Sequence, residues 1–226
     1  MQEIFLDEPI RSYKKDEEYK ILQRNMEFFG TDKRVLVFTS VAAGEGKSSV
    51  SISLAAFLAK EGKKVLFLDG DLRKSSLNSR CKAETPIYGL SHFLSGQKEL
   101  LSVIYKVSGS DLEIITAGVL PPNPAELLGN EKFQTLIKTA RANYDYVMID
   151  SPPLGRVIDA AIIAKQCDAA VLVAAVRGVS YKDVGKVRAQ LEKTGCPILG
   201  MVLNKVNVKK DKKYGKIQKK LGKYRI

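Results

Sequence analysis

No apolar run in this chain approaches the roughly 18 residues that a membrane-spanning helix needs, so a helical membrane span is not expected. A single histidine, His92, excludes a multi-histidine metal centre. Three cysteines, Cys81, Cys167 and Cys196, lie scattered without metal-type spacing. That usage predicts reduced, mostly buried thiols and a cytoplasmic setting. No internal repeat is visible. Met1 to Lys20 is polar and mixed in charge, so no secretory signal is expected there, and Met1 together with the tail suggests a separate chain.

What remains is enough for one globular domain. The chain has 226 residues, 45% of them hydrophobic, which is ample for a substantial core. The net charge of +12 is unevenly spread. Residues 205–226 carry ten lysines or arginines against one aspartate. The basic character therefore belongs to the tail and not to the fold.

The stretch RVLVFTSVAAGEGKSS, residues 34–49, organises the rest. Arg34 to Ser40 is a short apolar run suited to a buried strand. A small-residue loop comes next, Ala42-Ala43-Gly44-Glu45-Gly46, then Lys47-Ser48-Ser49 and an apolar-periodic segment from Val50 to Lys60. Strand, glycine loop and helix start together make a phosphate cradle, with backbone N–H groups turned inward and the helix dipole behind them. Lys47 can reach the β- and γ-phosphates, the Ser48 hydroxyl can ligate Mg²⁺, and Ser49 sits on the first turn. A bulkier residue at Gly46 would block the backbone's approach to phosphate. Val41 stands where the P-loop consensus has its first glycine, so the motif alone also fits a solvated turn that opens a helix.

Strand and helix patterns alternate onward. Gly62 ends the first helix as a C-cap. Strands are expected at Lys64–Asp69, Leu112–Thr116, Tyr146–Asp150, Ala169–Val176 and Pro197–Asn204. Helices are expected at Asp16–Phe29, Gly89–Leu94, near Lys98–Tyr105, at Ala125–Leu128, Glu131–Ala142, Ile158–Gln166 and Lys182–Lys193. In the Asp16–Phe29 helix, Tyr19, Leu22, Met26 and Phe29 share a stripe that predicts packing on the domain more readily than a subunit contact. The pattern implies an α/β P-loop fold: a doubly wound, mostly parallel sheet flanked by helices. Residues 1–15 read as an irregular lead, 16–207 as the P-loop domain with its N-terminal helix, and 208–226 as a basic, tyrosine-containing tail.

Three carboxylates fall at strand ends, the edge where open α/β sheets bind ligands. Asp150 closes an apolar strand in the Walker B manner, where a carboxylate holds Mg²⁺ directly or through water. Asp69 and Asp71 sit two apart past another strand, and either can orient or deprotonate an attacking hydroxyl. Singly, Asp150 is equally a turn aspartate, and Asp69 and Asp71 are equally solvated loop charge. All three beside a phosphate loop favour the site. Arg73 can pair with Asp71 or face a phosphate. Arg177 is a phosphate contact or a surface arginine, and Asn204 has an amide able to read an adenine edge.

These residues resemble a family. GEGKSS, then VLFLDGDLR, then VMIDSPP are similar to the three Walker motifs of the bacterial tyrosine kinases that serve capsule and exopolysaccharide synthesis. GLSHFLSG at 89–96, LPPNPAELL at 120–128, GMVLNKV at 200–206 and EEYKILQRN at 17–25 extend the resemblance over residues 16–207. It implies an ATP- and Mg²⁺-binding domain that transfers the γ-phosphoryl group to tyrosines, chiefly those of a neighbour's C-terminal tail. By that resemblance Ala43 to Ser49, with Arg177 and Asn204, bind ATP. Lys47, Asp69 and Asp71 are catalytic, and Ser48, Asp69 and Asp150 hold the metal. Tyr214 and Tyr224 are the acceptors. It further implies a membrane adaptor of the polysaccharide co-polymerase type that recruits the chain to the inner face of the membrane, a homo-oligomer that can be a ring, and no specific nucleic-acid partner. Ala43 stands where the family usually has proline. Glu17, Lys20 and Gln23 stand where it has Glu-x-x-Arg-x-x-Arg, which exchanges bidentate forks for a point charge and an amide.

Two other functions fit parts of the sequence. A nucleotide-switch ATPase of the partition or division type shares the fold, and the basic tail would hold DNA or acidic lipid. Such proteins carry a lysine where this chain has Ala42. A nucleotide-binding regulator without transfer activity is the third.

Overall fold

A computed structural model describes residues 2–6, 16–30, 32–83, 85–176 and 178–206. Among these, nine strands form one sheet. In chain order they are β1 (Gln2–Leu6), β2 (Val35–Ser40), β3 (Val65–Asp69), β4 (Cys81–Lys82), β5 (Tyr105–Val107), β6 (Glu113–Ile115), β7 (Tyr146–Asp150), β8 (Ala169–Ala175) and β9 (Ile198–Asn204). Across the sheet the order is β4-β1-β5-β6-β3-β7-β2-β8-β9. From β6 to β9 every pairing is parallel, while β5 meets β6 and β1 meets β4 antiparallel.

Parallel strands need crossovers, and the crossover helices cover both faces. Strand β2 is accordingly buried along its whole length. Val35 and Val37 enter one core, with Leu66, Leu68, Phe133, Leu136 and Ile163. Leu36 and Phe38 enter the other, with Phe67, Met148, Leu54 and Leu58. Alternation is thus present in space although the sequence of the strand is uniformly apolar.

The helices are α1 (Asp16–Phe28), α2 (Lys47–Lys60), α3 (Leu90–Leu94), α4 (Pro124–Gly129), α5 (Glu131–Asn143), α6 (Asp159–Ala164) and α7 (Tyr181–Glu192). Helix α2 is buried over most of its circumference, so it is apolar all round rather than amphipathic. α1 lies on it through Tyr19 and Met26, with the Tyr19 and Phe57 rings 6.3 Å apart. Leu22 packs beside them, whereas Phe29 is half exposed and falls outside the stripe expected of it.

Two expectations are corrected. Gln2–Leu6 is no irregular lead: it is a strand inserted between β5 and β4, with Ile4 fully buried. The segment near Lys98–Tyr105 is not a helix. It contains one 3₁₀ turn, Leu100–Ser102, and Tyr105 begins β5 with its side chain fully buried. Residues 7–15 and 207–226, including Tyr214 and Tyr224, lie outside the described residues, as does Arg177.

Candidate nucleotide and metal site

The parallel strands deliver their carboxyl ends to one edge, and the candidate site is built there. β2 leads through residues 41–46 into α2. Gly46 has φ 89°, and no side chain caps the helix that starts after it. The N–H groups of the first turn are therefore left without a side-chain cap at a positive dipole end, facing a cleft of about 600 Å³. Ala43, Gly44, Gly46, Lys47, Ser48 and Ser49 line it. The reason for glycine at 46 is sharper than phosphate access alone. Besides its positive φ, an added Cβ would lie 2.0 Å from the Asn204 amide nitrogen.

β3 and β7 are neighbours, with Asp69 directly opposite Asp150. The Gly70 N–H donates to the Asp150 carbonyl at 2.8 Å. A Cβ on Gly70 would sit 2.9 Å from that same oxygen, so the glycine lets the two acidic strand ends close up. Asp69 is buried and both its oxygens are used: one accepts from the Asp71 N–H at 3.1 Å, the other from the Ser75 hydroxyl at 2.5 Å. Asp71 accepts from the Lys74 N–H at 3.0 Å and turns its other oxygen toward the Lys47 ammonium, 3.4 Å away. Asp71 and Lys47 both line the cleft.

Asp150 differs. One oxygen lies 3.6 Å from the Lys47 ammonium. The other, Oδ1, is buried with no hydrogen-bond partner. Burial and neighbouring carboxylates push Asp69 and Asp150 above the ordinary carboxylate range, Asp150 being held back by Lys47 and the Ser48 hydroxyl. Three carboxylates around one lysine leave this corner short of positive charge, a costly arrangement inside a protein. No group of three His, Cys, Asp or Glu side chains among the described residues forms a self-sufficient metal cage. An orphaned carboxylate oxygen beside a serine hydroxyl, at the edge of a phosphate cradle, nevertheless suits Mg²⁺, which takes few protein ligands and fills the rest with phosphate oxygens and water.

Several expected contacts are placed differently. Glu45 folds away from the cleft: its buried carboxylate accepts from the Ala42 N–H at 2.7 Å and the Ala175 N–H at 3.1 Å. Its side chain belongs to the loop's scaffold, and only its backbone can face phosphate. The Asn204 amide donates to the Glu45 carbonyl at 2.9 Å. Arg73 takes neither expected partner. It forks onto Asp159, the fully buried first residue of α6, at 2.7 and 3.0 Å. Sequence reasoning missed Lys74, Ser75, Arg80, Arg156 and Lys205 on the cleft wall. Lys205 was within reach, since it comes directly after Asn204 in the motif GMVLNKV.

The fold and this edge define a P-loop nucleotide-binding protein of the parallel-sheet kind. A family profile described as "AAA domain" matches residues 33–193. The tyrosine-protein kinase CpsD of Streptococcus agalactiae is 41% identical over 203 residues, covering 89% of this chain and 89% of that protein. The kinase domain of the Escherichia coli tyrosine kinase ETK superposes with a TM-score of 0.77 at 32% identity, over 85% of this chain and 77% of that one. The septum site-determining protein MinD of Pyrococcus horikoshii, complexed with Mg-ADP, superposes less closely, with a TM-score of 0.63 at 27% identity over 75% of this chain and 69% of that one. The chain belongs to the bacterial tyrosine-protein kinases, within the wider AAA-domain family.

Proposed function

We propose that this chain binds Mg·ATP in the cleft between the phosphate loop and the loop after β3, and transfers the γ-phosphoryl group to tyrosines of a second copy. The acceptors are Tyr214 and Tyr224 in the tail. The observation that carries the reading is the Asp150 oxygen left without a partner beside Ser48 and Lys47.

The loop N–H groups of residues 43–49 bind the phosphates, and Lys47 leaves its two carboxylates to join them. Ser48 and Asp150 hold Mg²⁺, with Asp69 adding negative charge behind. Bound there, the ion neutralises charge on the β- and γ-phosphate oxygens. Asp71 lies at the cleft wall, 5% exposed, with one oxygen released when Lys47 moves. It orients the tyrosine hydroxyl and takes its proton. The phenolic oxygen bonds to the γ-phosphorus, the bond to the β,γ-bridging oxygen breaks, and ADP departs. Asn204 and Arg177 are assigned to the nucleotide's base and phosphates.

The physiological output is control of capsular or extracellular polysaccharide synthesis. No described helix is long and apolar enough to cross a membrane, so recruitment to the membrane falls to an adaptor of the polysaccharide co-polymerase type, which also activates the chain. The exchanged residues Lys20 and Gln23 on α1 make self-association weaker than a charge-paired ring. The test is incubation with Mg·ATP, with and without an adaptor's cytoplasmic segment, and then mass spectrometry. Phosphate on Tyr214 or Tyr224, absent in Lys47→Met, supports the reading. No phosphotyrosine under either condition overturns it.

A further inference from the structure

The phosphate loop is gripped from its outer side by groups that do not face the phosphates. Glu45, inside the loop, spans from the Ala42 N–H to the Ala175 N–H at the end of β8. Asn204, the last residue of β9, donates to the Glu45 carbonyl. Lys205 donates its ammonium to the Gly44 carbonyl at 2.7 Å. Two successive loop carbonyls are thus drawn toward the sheet edge, and drawing a peptide's C=O outward turns the next N–H toward the cleft.

Lys205 is also held in an unusual shape. Its φ is 57°, the only positive φ on a non-glycine residue among the described residues. An L side chain rarely adopts that conformation. At this position the turn directs the lysine back across the sheet edge to the loop. A strained backbone kept by a residue whose side chain makes one specific bond suggests that the bond is what the strain serves.

We propose that Lys205 is a positioning residue for phosphate binding: with Glu45 it forms a latch that holds the loop's N–H groups aimed at the β- and γ-phosphates. The latch links the loop to β9, the outermost strand, so what disturbs the sheet edge is transmitted to phosphate affinity. This rests on the nucleotide reading above and assigns a role to residues outside the phosphate contacts themselves.

The test uses the full chain and three variants: Lys205→Gly, Lys205→Ala and Lys205→Arg. Glycine removes the ammonium and at the same time relieves the positive φ, so a damaged fold cannot mimic the effect. Binding of Mg·ATP and of AMP is measured by calorimetry, beside the melting temperature. Lys205→Gly should weaken Mg·ATP about 5-fold, in the range expected for an exposed charge-assisted hydrogen bond. It should leave AMP binding unchanged and hold or raise the melting temperature. Lys205→Ala should weaken Mg·ATP equally and melt lower, and Lys205→Arg should recover most of the affinity. The deficit should persist at about 0.5 M salt, where a mere long-range attraction for phosphate would be screened.

If wild type binds Mg·ATP and Lys205→Gly binds it as tightly, the latch is wrong and the nucleotide site stands. A deficit that vanishes in salt, or one equally large for AMP, likewise overturns positioning in favour of direct contact. If wild type itself does not bind Mg·ATP, the nucleotide reading fails first.

Discussion

Asp69 and Asp150 are the same residue type, at the ends of adjacent strands, in register and equally buried. One is fully hydrogen-bonded and the other is not. The difference lies in the residues next to each along the chain. After Asp69 comes Gly-Asp-Leu-Arg-Lys-Ser, a loop that folds back and supplies an N–H and a hydroxyl. After Asp150 comes Ser-Pro-Pro. The Ser151 N–H and hydroxyl are both committed to the Phe38 carbonyl, and Pro152 and Pro153 have no N–H to give. The SPP segment is thereby locked onto the end of β2, where Thr39 also holds Pro152 and Leu154. It cannot satisfy the carboxylate beside it. The lesson is that a satisfied buried carboxylate is scaffold, and one that its own chain is unable to satisfy is kept for a cation.

The sharpest way to break this comparison is to neutralise each side in turn. Asp150→Asn should reduce phosphotransfer by at least about 100-fold while preserving the fold, since asparagine keeps the shape. Lys47→Met should do the same by removing the loop's only phosphate-neutralising side chain; retained turnover in either variant, measured by transfer of labelled phosphate, contradicts the site. Gly46→Ala comes next. Its Cβ meets the Asn204 amide, and alanine resists the required φ, so nucleotide affinity should fall about 10-fold or more with a lower melting temperature. Asp69→Asn should be milder, about 10-fold in kcat, because its oxygens serve the loop. An effect as large as that of Asp150→Asn would erase the distinction drawn between them.

The smallest effect is a dependence on pH. Both carboxylates are raised above their unfolded value of 3.8 by burial. The protonated form is then favoured in the fold, so the stability they contribute is present below that value and is lost as pH rises toward neutrality. Asp150→Asn has no such loss at that position. In the absence of nucleotide and metal, its melting temperature should gain on wild type as pH goes from about 5 to about 8, by about 3 °C. A gap that stays constant across that range would show that Asp150 is charged throughout.

Much of this was legible in the sequence because its causes are local. The central strands announce themselves as apolar runs, and the phosphate loop and acidic strand ends sit at fixed offsets from them. The edge of the sheet was not legible. β1 and β5 are short, mix charged with apolar residues, and pair with segments far along the chain, so nothing local distinguishes them from loop. Side-chain direction was equally hidden. Glu45 lies inside the motif yet points out of the site, because the open N–H groups that attract it belong to Ala42 and to the distant end of β8. Arg73 was placed among local partners, whereas its partner is Asp159, brought close only by the crossing of β3 and β7.

The most direct measurement is calorimetric titration of ATP with and without Mg²⁺, into wild type and Asp150→Asn. Wild type should bind Mg·ATP at least about 10-fold more tightly than metal-free ATP, and Asp150→Asn should bind the two alike. A variant that keeps the full preference for Mg·ATP would mean that the orphaned carboxylate oxygen is not where the metal sits, and the account would be wrong at its centre.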